Sequence, residues 1–174
     1  VDLSGIGGVG MTALAEMLLD LGVSVTGSDT TESKNVKHLR SLGVKIYSDQ
    51  KKENIDGRLV CRTRAVKDHN EEVKFAKKAV FRSTLLTYLS KEKKQLVVTG
   101  AHGKTTTSAL LAHCMEFLGF DISYAVGGLS PSLNRYGKIG SSEFFVIEGD
   151  ESDGSHLKTD PFGGILTSLD VDHL

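Results

Sequence analysis

Cysteine is nearly absent from this chain. Cys61 and Cys114 are the two in 174 residues, far apart and without metal-ligand spacing. That excludes a disulfide framework and fits a reducing compartment. A surplus of either charge is missing too: Lys and Arg number 21, Asp and Glu 22, for a formal net charge of -1. Nothing therefore steers the whole molecule toward nucleic acid or an anionic membrane. No apolar run approaches the length of a membrane span, and no signal peptide opens the chain. Solenoid-type repeats and low-complexity tracts are absent. The expectation is a soluble, cytoplasmic protein with no nucleic-acid partner and no membrane insertion.

The apolar fraction of 39% and the charged fraction of 25% are those of an ordinary globular chain. The length suits one large domain or two small ones of roughly 80–100 residues. Val1 begins almost inside a strand and Leu174 stops just after one, which reads as a chain cut at both ends.

Strand and helix signals alternate, predicting an α/β fold with largely parallel sheets. A short strand, Val1–Ser4, runs into Gly5-Ile6-Gly7-Gly8-Val9-Gly10, and Met11, Leu14, Ala15, Leu18 and Leu19 then recur at helical spacing up to Gly22. Val23–Thr26 reads as the second strand, ending at Gly27-Ser28-Asp29. Val36 and Leu39 suggest a short helix closed by Gly43, and Val44–Tyr47 and Leu59–Cys61 read as strands. A charged amphipathic helix is expected over Asn70–Ala79, and Ser83 is placed to cap another through Leu89. The charge run Lys91-Glu92-Lys93-Lys94 reads as a solvated helix end or loop, and a domain boundary is placed near Ser90–Gln95. A fresh unit then begins, with a strand over Leu96–Thr99, a loop, and a helix from Thr105 to about Leu118, on which Cys114 is expected to pack in the core. Ile122–Ala125, Phe144–Glu148 and Gly164–Leu169 are further strands, with a loop over Gly127–Gly140.

The loop of the second unit, Gly100-Ala101-His102-Gly103-Lys104-Thr105, suits a triphosphate. Such a ligand needs converging backbone N–H groups, a cation and a helix N-terminus. Lys104 supplies a mobile charge for the β/γ oxygens, Thr105 a hydroxyl for Mg²⁺, and Thr106 and Thr107 further donors. The Walker A spacing fails by one residue, since Val98 stands where a glycine is expected, but the strand–loop–helix context is that of an ATP-type phosphate loop. Phe144-Phe145-Val146-Ile147-Glu148 is a buried-strand pattern ending in a carboxylate, where nucleotide-hydrolysing folds hold a metal. The acid cluster Gly149-Asp150-Glu151-Ser152-Asp153 follows it, and Asp170-Val171-Asp172-His173 ends the next strand. Acids grouped so closely repel one another unless cations are near.

Gly5-Ile6-Gly7-Gly8-Val9-Gly10 fits G-x-G-x-x-G between a strand and a helix, and Asp29 ends the following strand. The physics asks for a diphosphate at a helix N-terminus, which NAD and a UDP-sugar satisfy equally.

Taken in order, these segments resemble the Mur ligases of bacterial cell-wall synthesis. The resemblance rests on Gly5–Met11, Gly27-Ser28-Asp29, Gly100–Thr107, Gly127-Gly128, Glu148–Ser155 and Asp172-His173, and covers nearly the whole chain. It implies a Rossmann-like first domain over 1–94 that holds the UDP part of the substrate, and the front of a truncated P-loop-type ATPase domain over 95–174. It further implies ATP and Mg²⁺, with UDP-N-acetylmuramate and L-alanine as small-molecule substrates joined through an acyl phosphate. By the same resemblance Lys104 contacts ATP phosphates within Gly100–Thr106, and Thr105, Glu148 and His173 serve the magnesium sites. Gly7, Gly8, Val9, Gly10, Ser28 and Asp29 meet the UDP portion, and Gly127, Gly128, Ser152 and Asp153 face substrate. There are two departures: Thr63-Arg64 stands where the family has a Ser-Ser or Ser-Thr pair, and Ser4 replaces an apolar residue. The family's third domain is not in this sequence, so the chain alone is expected not to complete ligation. Three alternatives stay open: a sibling or folylpolyglutamate-type ligase, an NAD-dependent oxidoreductase, and a non-catalytic nucleotide-binding module.

Overall fold

The computed structural model describes residues 1–149 and 161–169. It is an α/β protein of two compact units, Val1–Leu85 and Leu86–Leu174.

In the first unit a five-stranded parallel sheet has the order β3-β2-β1-β4-β5. Its strands are β1 (Asp2–Ser4), β2 (Thr26–Ser28), β3 (Lys45–Tyr47), β4 (Val60–Arg62) and β5 (Ala79–Phe81). The chain moves outward from β1 in both directions, so the reversal of strand order falls between β1 and β4, where doubly wound sheets bind ligands. Helix α1 (Val9–Asp20) buries Met11, Leu14, Ala15 and Leu18, the stripe its sequence spacing predicts. Its end is closed by Gly22 N–H on Leu19 O at 2.9 Å and Val23 N–H on Leu18 O at 3.0 Å. Helix α2 (Lys34–Ser41) starts where the Ser33 hydroxyl accepts from Val36 N–H.

Two expectations in this unit need correction. The second strand lies at Thr26–Ser28 and not at Val23–Thr26. The Val23 amide is taken up in closing α1, and pairing with β1 sets the register Asp2↔Thr26 and Ser4↔Ser28. The helix expected over Asn70–Ala79 is α3, Glu71–Phe75. Ala76 turns extended (φ -65°, ψ 137°), because Ala79–Phe81 is recruited as β5 beside β4. Phe75, an apolar residue of that helix, is 53% exposed.

One face of this sheet is unusually polar. Asp2, Ser4, Thr26 and Ser28 are all buried. Asp2 Oδ1 accepts from the Thr26 hydroxyl at 2.7 Å, and Oδ2 has no hydrogen-bond partner. Burial pushes the Asp2 carboxyl up to about 6, with the neighbouring Glu72 charge adding to it. An acid whose folded-state value is raised favours the native state at low pH, and that advantage is lost as pH rises through the raised value. The difference between a fully protonated and a fully ionised Asp2 is about 2–3 kcal/mol. Asp2→Asn should therefore raise the urea midpoint of the chain above pH 6, with the gap from the parent closing below pH 4. A gap independent of pH would show that Asp2 does not titrate this way.

The second unit has the sheet order β10-β6-β9-β7-β8. Its elements are α4 (Arg82–Ser90, which straddles the boundary), β6 (Lys94–Thr99), α5 (Lys104–Phe117), β7 (Ser123–Ala125), β8 (Gly137–Lys138), β9 (Phe144–Glu148) and β10 (Gly163–Leu166). All pairings are parallel except β7 with β8. Ala109 and Ala112 of α5 pack on Ile122, Tyr124, Val126, Leu133 and Val146. Each large apolar side chain buried there contributes about 1.5–3 kcal/mol. The region expected as loop over Gly127–Gly140 contains β8, an edge strand that Lys138 fixes by pairing with Glu116 and Asp121. Cys114 is exposed, against the expectation of core packing; α5 turns its alanines to the sheet and Cys114 away from it. Cys61 is the buried cysteine, its thiol pushed up to about 12 by desolvation. Within the charge run, Lys93 is not a solvated side chain: its Nζ donates to Gly140 O and Ser142 O.

Candidate functional site

The phosphate loop leaves β6 at Gly100 and enters α5 at Lys104. Gly103 caps the helix at φ +82°, ψ 0°, a left-handed conformation that a side chain would strain. Thr107 N–H donates to Gly103 O at 2.9 Å, so the first turn is formed. The loop is pinned from the segment after β10. Ala101 N–H donates to Ser168 O at 3.2 Å, His102 N–H to the Ser168 hydroxyl at 2.9 Å, and Thr167 Oγ1 to His102 O at 2.5 Å. Thr167 and Ser168 had no local signal in the sequence, since 60 or more residues separate them from the loop. Lys104 Nζ donates to Gly100 O at 2.6 Å, folding its charge over the loop, and Thr106 is exposed at the first turn of α5.

Glu148 ends β9 next to β6, and the structure brings it to Thr105. The Thr105 hydroxyl donates to Glu148 Oε1 at 2.9 Å, and Gly127 N–H donates to Oε2 at 2.7 Å. The Ser108 hydroxyl lies 3.4 Å from Oε2 and 3.1 Å from Thr105 O. Ser108, one turn along α5, is a participant the sequence reading missed. Gly127 lets Glu148 approach closely: a Cβ there would stand 2.5 Å from Oε2 and 2.7 Å from Oε1, so the carboxylate would have to move. Gly128 lies beside the Thr105 methyl, 3.1 Å from its own would-be Cβ. Hydroxyl and carboxylate oxygens beside a lysine are the hard donors that Mg²⁺ takes. Among the described residues no group of three or more His, Cys, Asp or Glu side chains converges to hold a metal ion. Ser152, Asp153 and His173 lie outside the described residues.

In the first unit, Gly5–Gly10 caps the end of β1. Gly5 N–H and Ile6 N–H both donate to Ser28 O, at 2.9 and 3.0 Å. Asp29 Oδ2 accepts Gly7 N–H at 2.9 Å, Asp29 Oδ1 accepts Thr31 N–H at 2.9 Å, and Asn35 Nδ2 donates to Gly7 O at 2.8 Å. Gly8 is the N-cap of α1, and Val9 and Gly10 open its first turn, with Val9 36% exposed. Each Asp29 oxygen thus holds one loop amide. Ser28 sits with the others but is fully buried, its hydroxyl donating to Glu72 Oε2 at 2.7 Å.

The fold and these two loops define a class: a Rossmann-like unit followed in sequence by a P-loop-type α/β unit. Residues 1–91 match the family model described as "Mur ligase family, catalytic domain". The chain belongs to the Mur ligase family. It is 43% identical over 98% of its length to the UDP-N-acetylmuramate–L-alanine ligase of Dictyoglomus turgidum, and 40% identical over 98% to that of Aquifex aeolicus. It spans 38% of the length of each. The solved UDP-N-acetylmuramate-alanine ligase of Thermotoga maritima superposes with a TM-score of 0.91 at 34% identity, covering 99% of this chain and 42% of that one. Among the described residues no helix is long and apolar enough to cross a membrane.

Proposed function

We propose that this chain supplies the UDP-substrate and ATP sites of a ligase that joins L-alanine to the carboxylate of UDP-N-acetylmuramate. The observation that carries the reading is the Thr105–Glu148 pair at 2.9 Å, beside Lys104 at the start of α5. A carboxylate at a strand end facing a first-turn hydroxyl suits a magnesium-bound triphosphate and has no use in hydride transfer. The names of the relatives above support the substrate pair. In this reading residues 1–94 hold the UDP portion through Gly7–Gly10 and Asp29, and residues 95–174 hold ATP.

The roles follow from the chemistry. Gly100–Thr106 wraps the phosphates. Lys104 leaves the Gly100 carbonyl to meet charge developing on the transferring phosphoryl group. Thr105 and Glu148, joined by His173, would hold Mg²⁺, which when bound neutralises phosphate charge. A carboxylate oxygen of the sugar acid attacks the γ-phosphorus, the bond to the bridging oxygen breaks, and ADP leaves. The free amine of alanine then attacks the acyl carbon, loses a proton and expels inorganic phosphate. Gly127, Gly128, Ser152 and Asp153 are assigned to the substrate side of this site.

Calorimetric titration tests the reading on the chain itself. UDP-N-acetylmuramate and Mg-ATP should each bind with one-to-one stoichiometry, and NADH should not bind. Binding of NADH without either of the others would assign the glycine-rich loop to a dehydrogenase.

A further inference from the structure

We infer that Glu72 is a positioning residue for the glycine-rich loop, and that Ser4 and Ser28 act on Glu72 and not on a ligand. The inference rests on the proposal that this loop receives the UDP portion of the substrate.

Glu72 is fully buried, although its place on a charged five-residue helix suggests a solvated side chain. Its Oε2 accepts from both the Ser4 and Ser28 hydroxyls, and its Oε1 accepts from Asn54 Nδ2 at 3.3 Å. A carboxylate in so dry a place is held by its hydrogen bonds, and losing them would cost more than making them gained.

The two serines are the last residues of β1 and β2, paired directly across the ladder. Gly5 follows Ser4, and the Ser28 carbonyl receives the Gly5 and Ile6 amides. Asp29 follows Ser28 and holds the Gly7 amide. One carboxylate therefore fixes the strand ends from which the loop hangs, and the amides that would face a diphosphate inherit that placement. This also accounts for Ser4 at a position where an apolar residue is expected: it is the second hydroxyl the carboxylate needs. Ser28, with no exposed surface, reaches no ligand.

The test uses the ¹⁵N-labelled chain and its Glu72→Gln, Ser28→Ala and double variants. In Glu72→Gln without ligand, the Gly5 and Gly7 amide resonances should move while those of α5 stay. Affinity for UDP-N-acetylmuramate should fall at least tenfold, with Mg-ATP affinity unchanged. Ser28→Ala should cost affinity in the parent and little more in the Glu72→Gln background, because both act through one contact. Equal losses in the two backgrounds would mean that Ser28 touches the ligand itself, and would overturn the inference. A lowered melting temperature with unmoved Gly5 and Gly7 resonances would reduce Glu72 to a stability role and would also overturn it. If Glu72→Gln does not fold, Ser4→Ala with Ser28→Ala removes the same two contacts without burying a new donor, and the same resonances decide. Failure of the parent chain to bind the UDP-sugar counts against the substrate assignment alone, since the ligand-free resonances still report the positioning.

Discussion

Replacing Lys104 with alanine is expected to weaken Mg-ATP binding about a hundredfold while leaving the chain folded. Hydrogen bonds from a charged donor are worth about 1.5–3 kcal/mol each, and a hundredfold loss is about 2.8 kcal/mol. The β/γ oxygens offer an ammonium more than one such contact, so the estimate does not depend on an ideal geometry. The fold should tolerate the change because the start of α5 rests on backbone. Gly103 supplies the left-handed turn, Thr107 N–H bonds to its carbonyl, and Ser168 holds the loop amides from outside. In the ligand-free chain Lys104 lies on the carbonyl of Gly100, a position that water can replace. Lys104→Arg separates charge from shape: a planar guanidinium keeps the charge but is too broad for a point-charge role, so only part of the affinity should return. Calorimetry with Mg-ATP, alongside an unchanged melting curve and unchanged binding of UDP-N-acetylmuramate, checks both. Undiminished ATP affinity in Lys104→Ala would remove the phosphate-loop assignment.

Where local chemistry decides, the sequence was sufficient. The apolar stripe of α1 with its Gly22 stop, the Gly100–Thr105 loop between strand and helix, and Glu148 at the end of an apolar run all follow from neighbours within a turn or two. What stayed hidden depends on partners far along the chain. The second strand sits at Thr26–Ser28 because β1 fixes its register, which no residue near Val23 encodes. Asn70–Ala79 has enough helical spacing to suggest one long helix, but β4 claims Ala79–Phe81 as a neighbour. Cys114 points outward because the sheet accepts the alanines of α5 instead. The burial of Glu72 has no local mark, since its partners Ser4 and Ser28 are 68 and 44 residues away. The oddity of Ser4 was visible in the sequence, but its cause was not. In the candidate site, the approach of Thr105 to Glu148 follows from a loop and a strand end that the sequence marks, while their roles remain the proposal above. The supports supplied by Ser108, Thr167 and Ser168 were not legible, because a serine or threonine carries no mark of what it will bond.

Gly127→Ala should uncouple ATP binding from magnesium. The added methyl would stand 2.5 and 2.7 Å from the two oxygens of Glu148, well inside van der Waals contact. The carboxylate must then swing away, giving up the Thr105 hydroxyl and the Gly127 amide that now aim it. Gly127 is not among the positive-φ residues, so alanine brings no backbone strain and the effect is confined to that collision. Removing a preorganised metal ligand in this way is comparable to losing an outer-shell support, which typically lowers metal affinity about 10- to 100-fold. Mg-ATP affinity should fall by that factor, and metal-free ATP, which does not need Glu148, should bind as it does to the parent. Gly128→Ala provides the scale: its methyl meets the Thr105 Cγ2 at 3.1 Å, a contact that a small rotation relieves, so its effect should be several-fold smaller. In a Glu148→Ala background Gly127→Ala should change nothing further, because the atom it displaces is gone. If Gly127→Ala weakened ATP equally with and without magnesium, the glycine would serve the phosphates directly, and Glu148 would not be the metal-side carboxylate that its place beside Thr105 indicates.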